Sequence, residues 1–124
     1  MLIPEHLHYT KNHEWVKFES DNAIIGITDF AQDELGDIIF VELPQEGTTF
    51  KSGDSTGTIE AVKTVADIYA PIGGKVIEVN RILDNEPELI NNDPYETGWI
   101  LKLSNISKID LELLSSSEYS KIIQ

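Results

Sequence analysis

The apolar positions of the N-terminal half fall into short runs separated by polar segments, a pattern that is typical of β-strands joined by turns. Residues 15–18 begin one run, the polar residues 19–22 interrupt it, and residues 23–27 are mostly apolar again. Because Asp and Asn favour turns, these two runs predict a β-hairpin. Residues 1–12 lack the pattern and are predicted to be irregular.

A short helix is predicted directly after Ile27. Thr28 and Asp29 are residue types that cap helix N-termini. Asp29 and Gln32 have the spacing of a capping box, and Gly36 is a typical helix end.

Glycine and proline divide the next part of the chain into short segments. Residues 38–43 are apolar and rich in β-branched types, and they end at Pro44, so they predict a strand. Closely spaced glycines follow, at Gly47, Gly53 and Gly57. Turn signals at this density favour an all-β barrel or sandwich over βαβ units.

The segment 57–79 is ambiguous by periodicity alone, because its apolar residues recur at helical spacing. No Asn-Gly or Gly-Gly pair marks a turn at Lys63. Gly57 and Pro71 bound the part that contains Lys63, and β-branched residues are frequent in it. These are Thr58, Ile59, Val62, Thr64, Val65 and Ile68. We therefore predict two short strands with Lys63 between them.

Further strands are predicted at 75–79, after a turn at Gly73-Gly74, and at 98–103. Between them, the Asn-Glu-Pro sequence at 85–87 predicts one helical turn that ends near Asn91.

The C-terminal tail, from about 107 to 124, is predicted to be helical. Residues 107–110 and 115–118 both fit the capping-box pattern. The whole chain, 1–124, is of a length typical of one domain, and we expect its β core at about 13–104.

Composition narrows the range of functions. Nine basic and 22 acidic residues give a net charge of −13, which disfavours nucleic acid and anionic lipid and favours basic patches on protein partners. The absence of cysteine excludes disulfides, thiolate metal sites and cysteine nucleophiles, so any thiol chemistry requires an attached group. The N-terminal residues do not resemble a signal or transit peptide, and no stretch is long enough to span a membrane. We expect a cytoplasmic, bacterial protein if Met1 is the native start, and a mitochondrial one if the chain is a processed form.

Other candidate chemistry is weak. His6, His8 and His13 are not accompanied by cysteine and are predicted to have ordinary surface or turn roles rather than to bind metal. No nucleophile elbow or phosphate-binding glycine loop is present. Trp15 and Trp99 are predicted to be core residues.

Lys63 is the residue with the most specific chemical potential. A lysine that accepts an acyl group needs an exposed amine, and a tip between two strands exposes the amine while holding its position. Acylation converts the ammonium into a neutral amide. Taken alone, the same pattern also fits a solvated lysine in a turn.

The residues around Lys63 resemble the lipoyl-attachment region of the glycine cleavage system H protein family. Val62 and Thr64 flank the lysine, whereas biotin carriers usually have methionine there. The family often has a small residue at the position of Thr64, and a hydroxyl there should not block attachment. Matches lie at 57, 60–63, 67–69, 71, 74 and 76–80, and beyond this region at 13–16, 26–29, 31–32, 35–37, 40–44, 80, 83, 89–91, 94–95 and 98–99.

The resemblance implies a mainly β, lipoyl/biotinyl-type barrel-sandwich hybrid with short helices. It implies a carrier rather than an enzyme, with lipoate amide-linked to Lys63 as a swinging arm. The arm would shuttle the aminomethyl group of glycine between glycine decarboxylase, aminomethyltransferase and dihydrolipoyl dehydrogenase, after lipoate-attaching enzymes modify the lysine of the monomer. By position, Glu14 and Asp67 would line the pocket of the loaded arm, although both also fit ordinary surface carboxylates.

Two other functions remain open at this point. A lipoate or octanoate relay that donates to 2-oxoacid dehydrogenases would carry the same modification. An acidic β module that binds basic partners without any cofactor would carry none.

Overall fold

The computed structural model describes residues 1–107 and 113–124. Within them the chain forms nine β-strands, three α-helices and one 3₁₀ helix. The strands are β1 His8–Tyr9, β2 Glu14–Glu19, β3 Asn22–Ile27, β4 Ile38–Glu42, β5 Thr49–Phe50, β6 Ser55–Ala61, β7 Val65–Tyr69, β8 Gly74–Val79 and β9 Leu101–Ser104. The helices are α1 Asp29–Leu35, the 3₁₀ helix Arg81–Asp84, α2 Leu89–Asn92 and α3 Ser116–Ile122.

The strands form two antiparallel sheets. One has six strands in the order β1-β2-β3-β9-β8-β5, and the other has three in the order β4-β6-β7. Buried aliphatic side chains from both sheets form one cluster, with Ile25 and Leu101 from the larger sheet and Ile59 and Ile68 from the smaller. The prediction of a mainly antiparallel β protein with short helices is therefore confirmed.

The predicted hairpin at 15–27 is confirmed as β2 and β3, which pair from Glu14 opposite Ile27 to Glu19 opposite Asn22. Ser20, in the two-residue loop, has a positive φ of 54°. Such a conformation matches the twist of the strands that a short loop joins.

The helix after Ile27 is present, but its predicted capping box is wrong. Thr28 is the N-cap, and its Oγ1 accepts a hydrogen bond from the Ala31 backbone N–H at 3.1 Å. Asp29 is already the first helical residue, and its Oδ1 accepts from Gln32 Nε2 at 2.8 Å. The predicted helix end is correct, since Gly36 is the C-cap with φ 77°.

The segment 57–79 contains two strands around Lys63, as predicted, and not a helix. The prediction of a turn at Gly73-Gly74 is wrong, because Gly74 is the first residue of β8. A Cβ at Gly74 would lie 2.8 Å from the Ser104 carbonyl oxygen. Glycine is therefore needed there for the close approach of β9, not for a turn.

The last strand begins at Leu101, three residues later than predicted at Gly98. A Cβ at Gly98 would lie 2.7 Å from the carbonyl oxygens of both Leu89 and Asp93, so the chain there packs against α2 instead of joining the sheet. The helical turn predicted after Asn85 is present as α2.

In the tail, the capping box at Ser115 and Glu118 is confirmed, and it starts α3. Leu114 forms an isolated bridge with Tyr9, which fixes the tail to the first strand. The pattern predicted at 107–110 falls mainly on residues outside the described ranges. Among the described helices, none has the length and apolar content that a membrane-spanning helix needs.

Candidate functional site

Lys63 lies at the tip of the hairpin of β6 and β7, and its side chain is exposed. The Ala61 backbone N–H donates to the Thr64 carbonyl at 2.8 Å, which closes the tip. The Val62 N–H donates to the Asp37 carbonyl at 3.1 Å, which ties the tip to the segment before β4. The backbone on either side of Lys63 is thus held while its amine is free to reach solvent.

No ion pair restrains that amine among the residues that the structure describes. The two ion pairs found there join Lys17 and Lys102 to Glu19, at 3.8 and 3.6 Å. Two large apolar residues beside Lys63, Val62 and Val65, are 67% and 61% exposed. The tip therefore presents a free ammonium between apolar side chains.

Below the tip lies a cleft of about 330 Å³ between two walls. One wall is α1 with the segment that leads into β2, and the other is the β6–β7 hairpin. The lining residues are Asn12, His13, Glu14, Ile27, Phe30, Ala31, Glu34, Leu35, Ile59, Ala66 and Asp67. The cleft has a mainly apolar lining and three carboxyl groups.

The cleft is within reach of an arm attached to the tip. Ile59 and Ala66 are paired in the hairpin, and Ala66 follows Lys63 by three residues. Since a strand rises roughly 3.3 Å per residue, the cleft begins about 10 Å from the lysine backbone.

Glu14 is the buried carboxyl group of the cleft, at 2% exposure. Thr10 Oγ1 donates to its Oε1 at 2.7 Å. Burial raises the pKa of Glu14 to about 7, although hydrogen bonds from Thr10 and the Tyr69 backbone act in the opposite direction. Near neutral pH this group can therefore either hold a proton or bind a cation.

Asp67 lies on β7 opposite Thr58 and is exposed. Its Oδ1 accepts from Ser55 Oγ at 3.1 Å, and its Oδ2 accepts from the Tyr69 hydroxyl at 3.4 Å. The structure thus brings together Glu14 and Asp67, the two carboxyl groups that the family resemblance singled out, in the lining of one cleft, although 53 residues separate them.

His13 and Phe30 also line the cleft, although neither was predicted from the sequence to do so. Their ring centroids are 4.8 Å apart, and His13 Nδ1 is 2.8 Å from the Tyr119 hydroxyl oxygen. His13 directly precedes Glu14, and this adjacency was a local indication that it lies near the cleft. Nothing in the local sequence connects it to a tyrosine 106 positions later.

His8 and the two tryptophans have structural contacts. The His8 ring lies edge-on to Phe18, with centroids 5.2 Å apart. Within the described ranges, no three His, Asp or Glu side chains are placed to hold a metal ion. Trp15 is buried, as predicted, and its Nε1 donates to the Pro94 carbonyl at 3.0 Å. Trp99 is only partly buried, and it packs against a second buried cluster that consists of Leu7, Tyr9, Trp15 and Tyr119.

Comparison with known proteins agrees with this geometry. The family model described as glycine cleavage H-protein matches residues 7–124. The glycine cleavage system H protein of Listeria innocua is 61% identical over 122 residues, covering 98% of each chain. That of Listeria monocytogenes is 58% identical over 124 residues, covering 99% of each.

A solved structure is similar over nearly its full length. The crystal structure of a glycine cleavage system H protein from Mycobacterium marinum matches with a TM-score of 0.89 at 36% identity, covering 97% of this chain and 98% of that one. This agreement confirms the barrel-sandwich fold expected from the sequence.

Proposed function

The chain belongs to the glycine cleavage H-protein family and is a lipoyl carrier of the glycine cleavage system, and we propose that Lys63 carries its lipoate in amide linkage. The carrier is not itself a catalyst. The observation that carries the proposal is the position of Lys63, exposed at a hairpin tip directly above a cleft with a buried carboxyl group.

The residues present fit the attached group. Lys63 has a free amine on a fixed backbone, and the cleft has apolar side chains for an alkyl arm and carboxylates for a cationic end. When attached, lipoate supplies a disulfide that accepts the aminomethyl group of glycine and is later restored by oxidation. The protein supplies position and a sheltered surface.

We propose that Glu14 and Asp67 hold the ammonium group of the loaded arm. A charge-assisted hydrogen bond to a carboxylate is stronger than one between neutral groups. Because the pKa of Glu14 is raised to about 7 by burial, a cation beside it would restore its charged form. Ile59, Phe30 and Leu35 would keep water away from the arm.

We further propose that the chain acts as a monomeric single domain in the cytoplasm, in line with its bacterial relatives. Its partners would be glycine decarboxylase, aminomethyltransferase, dihydrolipoyl dehydrogenase and the enzymes that attach lipoate. The net charge of −13 favours partner surfaces rich in lysine and arginine. The contact between core residues of both sheets supports a single domain.

Intact-mass measurement after incubation with lipoate–protein ligase, ATP and lipoate tests the attachment site. We expect one lipoyl adduct on the wild type and none on Lys63→Ala or Lys63→Arg. Lys75→Ala, which removes an exposed lysine from β8, is the matched control and should be modified like the wild type. An adduct that persists in Lys63→Ala would contradict the proposal.

A further inference from the structure

His13, in the cleft wall, has an unusual backbone conformation. Its φ of 67° is positive, a region that side chains other than glycine rarely adopt. A residue in this conformation persists only where its surroundings hold it, and such residues are often found at functional sites. The contacts that hold His13 therefore bear on the cleft.

Tyr119 makes the hydrogen bond that fixes the His13 ring. Its hydroxyl oxygen is 2.8 Å from His13 Nδ1 and 2.7 Å from Thr28 Oγ1, the N-cap of α1. The same wall also contains Phe30 of α1, and the His13 ring packs on the Phe30 ring. One hydroxyl group thus contacts both elements that form this wall.

In one arrangement of the protons, the Tyr119 hydroxyl links Thr28 to His13. Thr28 Oγ1 already accepts from the Ala31 N–H, so its hydroxyl proton can be donated to the Tyr119 oxygen. The Tyr119 hydroxyl proton is then donated to Nδ1 of a neutral His13. Burial lowers the pKa of His13, which favours this neutral form.

Tyr119 is itself firmly placed. It is fully buried, and its ring stacks on Tyr9 with centroids 4.8 Å apart and planes 9° apart. The capping box at Ser115 fixes the start of α3, and Leu114 bonds to Tyr9 through both backbone groups, at 2.9 and 2.7 Å. Helix α3 therefore holds the Tyr119 hydroxyl at a fixed position beside the cleft wall.

We propose that Tyr119 is a positioning residue for the arm cleft: its hydroxyl holds the His13 ring and the start of α1 in the wall against which the loaded arm lies. The C-terminal helix thereby helps to shelter the arm, although it lines no part of the cleft among the described residues. This role rests on the proposed function of the cleft.

The test compares Tyr119→Phe with Tyr9→Phe. Each removes one hydroxyl from one ring of the same stacked pair. The Tyr9 hydroxyl, however, donates to the Pro4 carbonyl at 2.6 Å, and Tyr9 does not line the cleft. Each protein is lipoylated, loaded with glycine and decarboxylase, separated from the enzyme, and followed by intact mass as the aminomethyl group is lost. We expect loss to be about 2- to 10-fold faster in Tyr119→Phe, the factor that one hydrogen bond corresponds to, and unchanged in Tyr9→Phe.

A second readout needs no cofactor. NMR titration of the His13 ring in the unmodified proteins should show its pKa higher in Tyr119→Phe than in the wild type, because the neutral ring loses its donor. Tyr9→Phe should titrate like the wild type.

The proposal is overturned if Tyr119→Phe and wild type lose the aminomethyl group at the same rate, or if Tyr9→Phe accelerates this loss as much as Tyr119→Phe does. An unchanged His13 titration in Tyr119→Phe overturns it as well. If the wild-type protein loses the group as fast as free aminomethylated lipoamide does, the protective cleft itself is rejected together with this role. If wild-type loss is slow and the Tyr119→Phe rate is the same, only the role of Tyr119 is rejected.

Discussion

The hairpin tip and the cleft below it use the same two strands in opposite ways. At the tip, Val62, Lys63 and Thr64 are exposed and are held through backbone hydrogen bonds. Four residues before Lys63, Ile59 is 1% exposed and belongs to the core cluster. An attachment site needs access for enzymes, whereas a shelter for the arm needs rigid, water-excluding walls. This hairpin provides the access and one of the two walls.

The largest expected effect is on the free energy of unfolding, and it distinguishes the buried part of the hairpin from its exposed tip. Ile59→Ala leaves a cavity in the core and should lower the free energy of unfolding by about 2–5 kcal/mol. Val62→Ala, at the exposed tip, should change it by less than about 0.5 kcal/mol. Urea denaturation followed by tryptophan fluorescence measures both. Equal losses in the two variants would show that the tip is packed in solution, and the contrast between tip and cleft would be wrong.

The sequence predicted the tip better than the cleft, for a physical reason. Two strands around Lys63 follow from local β-branched residues and from the resemblance, yet no turn signal was present. The structure explains this, since no residue from Ala61 to Thr64 has positive φ, so the tip needs no glycine or asparagine. Turn chemistry could not have identified this hairpin.

The cleft depends on contacts between distant segments. Glu14 and Asp67 were selected only through the family resemblance, because local sequence does not show that β2 and β7 face each other. The bond between His13 and Tyr119 spans 106 positions and had no local signal. Burial also raises the pKa of Glu14. That burial cannot be derived from the residues beside Glu14 in the sequence.

The next effect concerns the charge buried in the cleft. The pKa of Glu14 is raised from 4.5 to about 7, so between these pH values the folded state holds a proton that the unfolded state has lost. Stability therefore falls as pH rises through this range, by about 3 kcal/mol for a shift of this size. Glu14→Gln removes the cost of ionising a buried carboxyl group. The free energy of unfolding of this variant, relative to wild type, should therefore rise by roughly that amount between pH 4 and pH 8.

Urea denaturation at several pH values measures this difference. Glu34→Gln removes an exposed carboxyl group from the same cleft and should differ from wild type by less than about 0.5 kcal/mol throughout. If Glu14→Gln and wild type showed parallel pH profiles, the charge of Glu14 would be solvated and the cleft would be as open as the tip.

The smallest effect tests how far the rigidity of the cleft wall extends into the tail. Ser115 Oγ accepts from the Glu118 N–H at 3.1 Å, and Glu118 Oε1 accepts from the Ser115 N–H at 2.9 Å. Ser115→Ala breaks one of these bonds and should lower the free energy of unfolding by about 1 kcal/mol. Ser117→Ala is the control, because Ser117 is exposed within α3 and alanine favours helix there.

Hydrogen exchange at the amide of Tyr119 gives the decisive comparison, since this amide donates to the Ser115 carbonyl at 2.9 Å and reports opening of α3. If α3 opens separately from the sheets, exchange in Ser115→Ala should be about fivefold faster while core amides such as that of Ile25 are unaffected. Equal acceleration at both amides would instead show that the tail and the sheets open together, and that the cleft wall is as rigid as the core itself.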